Sequence, residues 1–318
     1  MYNRISVEEI TMKYSFGIDV GGTNIKIGLF EVDPFRLVDK REVSTPKYNH
    51  TTSIFEVTKK NMTDLLDLHH ITYNDVHGVG FAIPCPVKNG YVVKCPNLKW
   101  ESLDVISSMR DLLEPHIKVV VSNDANIAAY GENYSLEVPL QNAIFYTLGT
   151  GVGGGIIIDG KIVEGRTGAG GEIGHMQIFE HDEICGCGKS GCLEQICGTK
   201  AILDYAKELS HEYESSIDFK HITVKDVFDA AKKNDPVGFR VLDRVAKYIA
   251  LSASILSVSL DPDIIIIGGG IAKAGQILID QILKHYRVFA RFGTVDIPFV
   301  LAKTGNDAGI IGAAKYTI

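Results

Sequence analysis

The stretch GHMQIFEHDEICGCGKSGCLEQ, residues 174 to 195, sets two histidines and three cysteines in a turn-rich segment crowded with glycine and charge. His175, Cys185, Cys187 and Cys192 offer one imidazole and three thiolates, the number and softness of donors that closed tetrahedral zinc sites use. Cys185 and Cys187 flank Gly186, and Gly188 and Gly191 give the following backbone freedom to wrap an ion. The spacing departs from the usual pair of C-x-x-C hooks, so a set of unbound thiols is the competing reading. Cys197 belongs to the next helix, and Cys85 and Cys95 lie too far away in sequence to join the set.

Acid–base chemistry has a second candidate region. SNDANIAAYGEN places Asn123 and Asp124 where an apolar strand gives way to a helix, an edge of an α/β sheet at which ligands tend to sit. A carboxylate at Asp124 faces the ligand, and Asn123 brings both a donor and an acceptor for a hydroxyl; simple helix capping by the pair is the alternative. Glu172 and His175, three apart in GEIGH, and Glu194 close behind Cys192 flank the cysteine cluster and suggest a polyol-binding surface anchored by a metal.

Two further stretches read as copies of one device. IDVGGTNIKIGLF (18 to 30) and LGTGVGGGIIIDGKI (148 to 162) are each a strand, a Gly/Thr turn and a returning strand. Glycine lets backbone N–H groups converge on an anion without a side-chain clash, and the threonine hydroxyl adds a donor, which is phosphate chemistry. Either one alone reads as a plain hairpin turn; two copies, with a third glycine cluster at 268 to 270 after an apolar strand, suggest two halves serving one nucleotide. GTGVGG also satisfies G-x-G-x-x-G, but a strand follows it where the dinucleotide fold needs a helix, so a dehydrogenase is excluded. No G-x-x-x-x-G-K-[ST] occurs, which excludes a P-loop enzyme.

The elements that must carry these residues alternate between strand and helix, which predicts an α/β fold. Strands are expected at 14 to 20, 25 to 32, 77 to 83, 118 to 122 and 142 to 148, and in DIIIIGGG. Helices are expected from about Thr52 to Leu68, after a Ser102 cap, over 124 to 134, after a Thr199 cap, in TVKDVFDAAKK, from Asp235-Pro236 to about Leu260, in AKAGQILIDQIL and from Asp307 to Lys315. The 318 residues are 45% hydrophobic and 22% charged, enough for one large or two medium domains. A net charge of -7 without long basic runs argues against a nucleic-acid surface. The N-terminus lacks the pattern of a secretory signal, and no apolar run reaches membrane-spanning length, so a cytoplasmic protein without a membrane partner is expected. In that reducing compartment the six cysteines are not expected to form disulfides.

GIDVGGTNIK, SNDANIAAYGE, LGTGVGGG, GAGGEIGHM, CGCGKSGCLE and DPDIIIIGGGIAKAG follow one another in an order that resembles the ROK family (repressors, uncharacterised reading frames and sugar kinases), within the actin-like ATPase superfamily. The likeness runs from about residue 14 to 318. It implies two actin-like (ribonuclease H-like) domains with ATP and sugar in the cleft between them: a small domain, 13–121 completed by 304–318, and a large one, 122–303, with a zinc-binding insertion at 175–192. It also implies a structural Zn²⁺ on His175, Cys185, Cys187 and Cys192.

By position, Asp124 resembles the base that takes the proton of the sugar hydroxyl attacking the ATP γ-phosphate, and Asn123, Glu172, His175 and Glu194 resemble sugar-hydroxyl ligands, with Asn97 of CPNLKW a sugar neighbour or a loop-ordering residue. Gly21, Gly22, Thr23, Thr150 and Gly151 resemble the phosphate cradle, Asp19 the residue near Mg²⁺, and Gly269 and Gly270 part of the adenosine pocket; Asn24, Lys26 and Gly153 complete the nucleotide set. Such phosphoryl transfer needs alignment, Mg²⁺ and a base. His175 then serves twice, one ring nitrogen on zinc and the other on the sugar.

Two positions depart from the family pattern. Cys85 in IPCPV replaces a glycine, so its side chain is expected to narrow the space near a sugar substituent, and Asn24 stands where glucose-phosphorylating members often carry lysine, with Lys26 nearby. The resemblance therefore implies an ATP-dependent hexose kinase, a glucokinase first, with N-acetylmannosamine, fructose or another hexose as alternative substrates, in a homo-oligomer (dimer or tetramer). A sugar-sensing repressor of the same family is disfavoured by the dozen residues before the first strand and the acidic charge.

Overall fold

A computed structural model describes residues 13–46 and 51–318, the first two residues of the helix at Thr51 by backbone alone; the reading of the N-terminus as no secretory signal falls mostly on residues 1–12, outside the described residues. The strands are β1 (Tyr14–Val20), β2 (Asn24–Val32), β3 (Phe35–Ser44), β4 (Val76–Ile83), β5 (Tyr91–Val92), β6 (Leu103–Asp104), β7 (Lys118–Asn123), β8 (Ala143–Leu148), β9 (Val152–Ile158), β10 (Lys161–Ile162), β11 (Ile264–Gly268) and β12 (Phe299–Leu301). The helices are α1 (Thr51–Leu68), α2 (Val105–Arg110), α3 (Asp124–Tyr134), α4 (Glu194–Cys197), α5 (Thr199–Leu209), α6 (Val224–Ala231), α7 (Pro236–Leu260), α8 (Gln276–Phe289) and α9 (Ala308–Lys315).

The chain divides into two compact units, one running to Gly131 and taking back Asp307–Ile318, the other spanning Glu132–Asn306. The cut expected after residue 121 thus falls ten residues early and the return at 304 three residues early. The reason is local: the first turns of α3 press against α9 so closely that a Cβ on Gly131 would lie 2.4 Å from the Ala308 carbonyl oxygen.

Each unit is built on a five-stranded sheet, and the two sheets share one plan, β3-β2-β1-β4-β7 in the first and β10-β9-β8-β11-β12 in the second. In both, three strands run as an antiparallel meander and two more are added parallel to the first of them. The repeated device seen in the sequence is therefore the β1–β2 turn and its counterpart, the β8–β9 turn. β4 and β11 read as near-continuous apolar runs because both faces of these central parallel strands are covered. β3 went unread in the sequence: FRLVDKREVS is a polar edge strand whose residues are half-buried or exposed.

Helix α9 lies directly on the first sheet. A Cβ on Gly17 of β1 would stand 1.8 Å from the Ile310 carbonyl oxygen, and one on Gly80 of β4 would stand 1.9 Å from that of Ala313, so glycine at both positions lets helix and sheet backbones touch. Two caps differ from expectation. Asp104, not Ser102, accepts the Ser107 N–H (2.9 Å) to open α2, because Leu103 and Asp104 are first used in a short ribbon with β5. Thr199 is the first residue of α5, not its cap, and its hydroxyl reaches back to the Gly149 carbonyl (2.8 Å). Asp235 caps α7 with Pro236 in the first turn, as the sequence indicates. The helix read in AKAGQILIDQIL starts later, at Gln276, because Gly275 takes φ 82° and separates it from a 3₁₀ turn over Ile271–Ala274.

Candidate functional site

In the first unit, β1, β4 and β7 are parallel, and their carboxyl ends form one edge, the place where open α/β sheets collect ligands. Between Val20 and its register partner Ile25, the chain turns through Gly21, Gly22, Thr23 and Asn24. The Gly21 N–H donates to the Asn24 carbonyl (2.9 Å), while Thr45 ties the turn from the end of β3 through its hydroxyl to Gly21 O (2.7 Å) and its N–H to Thr23 O (2.8 Å). Gly22 and Thr23 are exposed at the tip. Asn24 donates its side-chain amide to Glu42 Oε1 (2.7 Å), so that donor is engaged within the meander. Asp19 and Lys26 are register partners with Oδ2 and Nζ 3.9 Å apart. Burial pushes the Asp19 carboxyl above its ordinary range, outweighing the opposing pull of the Lys26 ammonium.

Asn123 ends β7, paired with Ile83, and its Oδ1 accepts the N–H groups of Ala125 (2.9 Å) and Asn126 (3.2 Å). The capping alternative therefore holds for its carbonyl, and the amide nitrogen is not part of that cap. Asp124, half-buried, opens α3, and its Oδ1 accepts the same Ala125 N–H at 2.8 Å. Asn97 sits in the loop between β5 and β6; its amide nitrogen is 3.5 Å from the Pro84 carbonyl oxygen, and a Cβ on Gly22 would lie 3.5 Å from Asn97 O. The edge thus brings the Gly21–Asn24 turn, Asn97 and the Pro84 loop together, with Asn123 and Asp124 on the neighbouring strand end.

Two cysteine expectations change here. Cys85 and Cys95 are joined in a disulfide, with Cα atoms 5.3 Å apart. The expectation of no disulfides rested on compartment, and sequence separation hides a pair that the sheet edge brings together. The Cys85 side chain is buried and spent on Cys95, so it does not narrow an open space as expected.

In the second unit the β8–β9 turn runs through Gly149, Thr150 and Gly151, closed by Gly149 N–H to Gly151 O (2.9 Å) and held from α5 by Thr199 N–H to Gly149 O (3.0 Å). Glu194, at the start of α4, lies beneath this turn. Its Oε2 accepts the Val152 N–H at 3.0 Å, and a Cβ on Gly151 would fall 1.9 Å from that oxygen. Gly153 follows in β9, opposite Thr147. Gly269, at φ 84°, and Gly270 are exposed beyond β11, at the position in this sheet that Pro84 and Cys85 hold beyond β4 in the other.

The donors of His175, Cys185, Cys187 and Cys192 all lie within 4.8 Å of one another. Cys185 Sγ is 3.7 Å from His175 Nδ1, and Cys187 Sγ is 3.6 Å from Cys192 Sγ. Ligand atoms around a tetrahedral zinc stand about 3.5 to 3.8 Å apart, so the set fits that ion in number, chemistry and spacing. Backbone bonds from Cys185 N–H to Lys189 O (2.6 Å) and from Gly188 N–H to Cys185 O (2.8 Å) fold the loop into a tight knuckle, and Ile178 N–H to Gly191 O (2.9 Å) pins its end. Backbone hydrogen bonding at Lys189 draws the Cys187 thiol down, whereas burial drives the Cys192 thiol up to about 12. The second oxygen of Glu194 is 3.8 Å from Cys185 Sγ, so one carboxylate joins the knuckle to the glycine turn. A cavity of about 570 Å³ opens beside both, lined by Thr150, Gly151, Cys185, Glu194, Gly198 and Lys200 among others. Glu172 is exposed just before the 3₁₀ turn Ile173–His175.

Thr45, Thr199 and Gly309, the last packed so that an added Cβ would stand 2.8 Å from Asp19 Cγ, are the site residues that sequence reasoning missed. Thr45 follows the unread strand β3 and Thr199 was read as a cap; only the small-residue run DAGIIGAAK, which calls for close backbone packing, could have pointed to Gly309.

Two sheets of one plan, each presenting a glycine turn after its first strand, define an α/β protein of the actin-like ATPase fold. The chain belongs to the ROK family, which it matches over residues 15–318. It is 36% identical over 315 residues to a glucokinase of Halalkalibacterium halodurans, covering 94% of this chain and 93% of that protein. An N-acetylmannosamine kinase of Vibrio cholerae is 30% identical over 301 residues, covering 94% of this chain and 98% of that protein. Among solved structures, a ROK family glucokinase from Streptomyces griseus, in complex with glucose and AMPPNP, aligns with a TM-score of 0.73 at 28% identity, over 95% of this chain and 98% of that one. No described helix is long and apolar enough to cross a membrane.

Proposed function

We propose that the protein is an ATP-dependent hexose kinase that phosphorylates glucose. What carries this reading is the sheet edge of the first unit, where a glycine turn after β1 and the Asp124 carboxylate after β7 stand on either side of β4, in a chain that follows a glucokinase over nearly its whole length.

Asp124 is the general base: it takes the proton of the attacking hydroxyl, and its position on a rigid helix start fixes the approach. In the same unit Asn97 and the amide of Asn123 hold sugar hydroxyls, and the N–H groups of Gly22 and Thr23, on the turn that Gly21 closes, meet phosphate oxygens with Lys26. Asp19 is a half-buried carboxylate beside that turn, with one cation at 3.9 Å, and fits a residue that faces Mg²⁺. Bound Mg²⁺ supplies charge neutralisation for the transferred phosphoryl group. In the second unit Thr150, Gly151 and Gly153 are the counterpart phosphate turn, Gly269 and Gly270 face adenosine, and Glu172, His175 and Glu194 take sugar hydroxyls. His175, Cys185, Cys187 and Cys192 hold a structural zinc; with Nδ1 facing the sulfurs, the His175 ring keeps Nε2 for the sugar. ATP as donor agrees with a cytoplasmic setting.

N-acetylmannosamine is the second substrate reading, favoured by the relative from Vibrio cholerae. The deciding experiment is ADP release from Mg-ATP with glucose, N-acetylmannosamine, N-acetylglucosamine, mannose, fructose and allose, each read as kcat/KM. Preference for glucose is the expected result. Preference for another hexose moves the specificity but keeps the mechanism, and silence across the panel in zinc-loaded protein removes the kinase reading.

A further inference from the structure

The Cys85–Cys95 disulfide ties together two loops of the first unit: the one that follows β4 through Pro84, and the one between β5 and β6 that carries Asn97. Residues 96 to 99 hang from Cys95 as a closed turn. Cys95 and Trp100 exchange backbone hydrogen bonds (Cys95 N–H to Trp100 O, 2.9 Å; Trp100 N–H to Cys95 O, 3.1 Å), and the Leu98 N–H also reaches Cys95 O (3.2 Å). Asn97 stands exposed on this turn, its amide 3.5 Å from the Pro84 carbonyl oxygen, with Gly22 of the phosphate turn beside it. Leu98 and Trp100 anchor the turn in the core of the first unit, while the direct links between Asn97's turn and the Pro84 loop are a weak polar contact and one covalent bond. Cys85 and Cys95 are 3% and 0% exposed, but Pro86, Pro96 and Lys99 around them are exposed, so a modest opening of the loop uncovers the sulfurs.

The other four cysteines have different chemistry. Three form the knuckle, and burial drives the Cys197 thiol far above its ordinary range inside the second core, where it is inert. A disulfide in a reducing compartment is characteristically transient and redox-sensing.

We propose that the Cys85–Cys95 pair is a redox-responsive positioning element: oxidised, it holds Asn97 at the sugar; reduced, it releases the loop and weakens sugar binding while leaving phosphoryl transfer intact. This rests on the sugar-kinase reading above. The reductant is a dithiol. One of its thiolates attacks a sulfur of the pair to give a mixed disulfide and expel the other cysteine as thiolate; its second thiol then closes the reductant's own disulfide. Two electrons and two protons end on Cys85 and Cys95, and a disulfide oxidant reverses the exchange.

The chain contains a single tryptophan, Trp100, which is buried and bonded to Cys95, so its emission reports on this loop. The test uses the full chain with zinc, oxidised with glutathione disulfide or reduced with dithiothreitol, beside the Cys85→Ser/Cys95→Ser double variant. A non-reduced digest of the oxidised protein should contain the linked peptides, and their absence overturns the proposal. Reduction and the double variant should both raise KM for the preferred sugar by about three- to tenfold, with kcat and KM for ATP within about twofold, and reoxidation should restore the wild type alone. Equal sugar KM in the two forms, or kcat falling together with sugar affinity, overturns it. If no sugar is phosphorylated in either form, the kinase reading has failed. The loop-holding role is then decided by Trp100 emission and by proteolysis between residues 86 and 94: a redox-dependent change upholds it and identical behaviour overturns it.

Discussion

The Asp19 carboxylate rests on Gly309, the second residue of α9, so closely that a Cβ there would stand 2.8 Å from Asp19 Cγ. A short side chain at the end of a buried strand has little room to step aside. Gly309→Ala is therefore expected to displace the carboxylate, and kcat/KM with Mg-ATP should fall by about ten- to a hundredfold, the usual penalty for misplacing a catalytic group by about an ångström. Steady-state kinetics over a range of Mg²⁺ concentrations check this; unchanged kinetics would take Asp19 away from the metal.

Asp124 opens α3 beside the Asn123 cap. Asp124→Asn keeps the shape and the helix start but removes the base, so kcat should drop by roughly two to four orders of magnitude. Sugar binding, followed by calorimetry, should stay close to that of the wild type. Turnover near the wild-type value would assign the proton transfer elsewhere.

Cys187 is the exposed member of the knuckle and sits 3.6 Å from Cys192. Cys187→Ser should lower bound zinc from about one per chain toward none and reduce thermal stability, since metal binding and local folding are coupled. Because Glu194 links the knuckle to the Gly149–Gly151 turn, chelation of the wild type should raise KM for ATP as well as for sugar. Elemental analysis of the wild type that finds no zinc would sink the assignment.

Asp235 predicts a pH dependence of stability. Burial raises its carboxyl, but the N–H groups of Ser216, Val237 and Gly238 and the hydroxyls of Ser215 and Ser216 together hold it below the ordinary carboxylate range. A depressed folded value means that the stabilisation is present above the unfolded carboxylate pKa of about 4 and is lost as pH falls through the lower folded value. Asp235→Ala should cost about 1 to 2 kcal/mol at pH 7, and its deficit against the wild type should shrink below about pH 4. Urea denaturation from pH 7 to pH 3 measures the difference, and a constant deficit contradicts the assignment.

Local signals carried well from sequence to structure where one physical cause dominated. Apolar runs ending in glycine marked β1, β8 and β11 because both faces of these strands are covered, and Asp235-Pro236 marked the start of α7 because only one end of a helix accepts proline. Reading failed where tertiary partners decide. β3 is charged and takes its place only by pairing with β2, and Thr45 holds the glycine turn from that unread strand. Cys85 and Cys95 become neighbours only once β4 and the loop after β5 are laid down, which no spacing rule anticipates. Of the site residues, the knuckle was legible from its donor types, whereas the engagement of Glu194 with Val152 and of Asn24 with Glu42 depends on the strand ends they meet.

The return of Asp307–Ile318 to the first unit has a consequence for how the polypeptide is made. A ribosome delivers residues 13 to 131 first, yet the glycine-bearing strands at Gly17 and Gly80 lack their covering helix until residues 307 to 318 have left the exit tunnel. The second unit, contiguous from Glu132 to Asn306, has its whole sequence made before the first receives its last helix; the first cannot close before then. Vectorial synthesis therefore finishes the halves in the reverse of their coding order, and a nascent chain stalled short of Gly309 carries Asp19 without its floor.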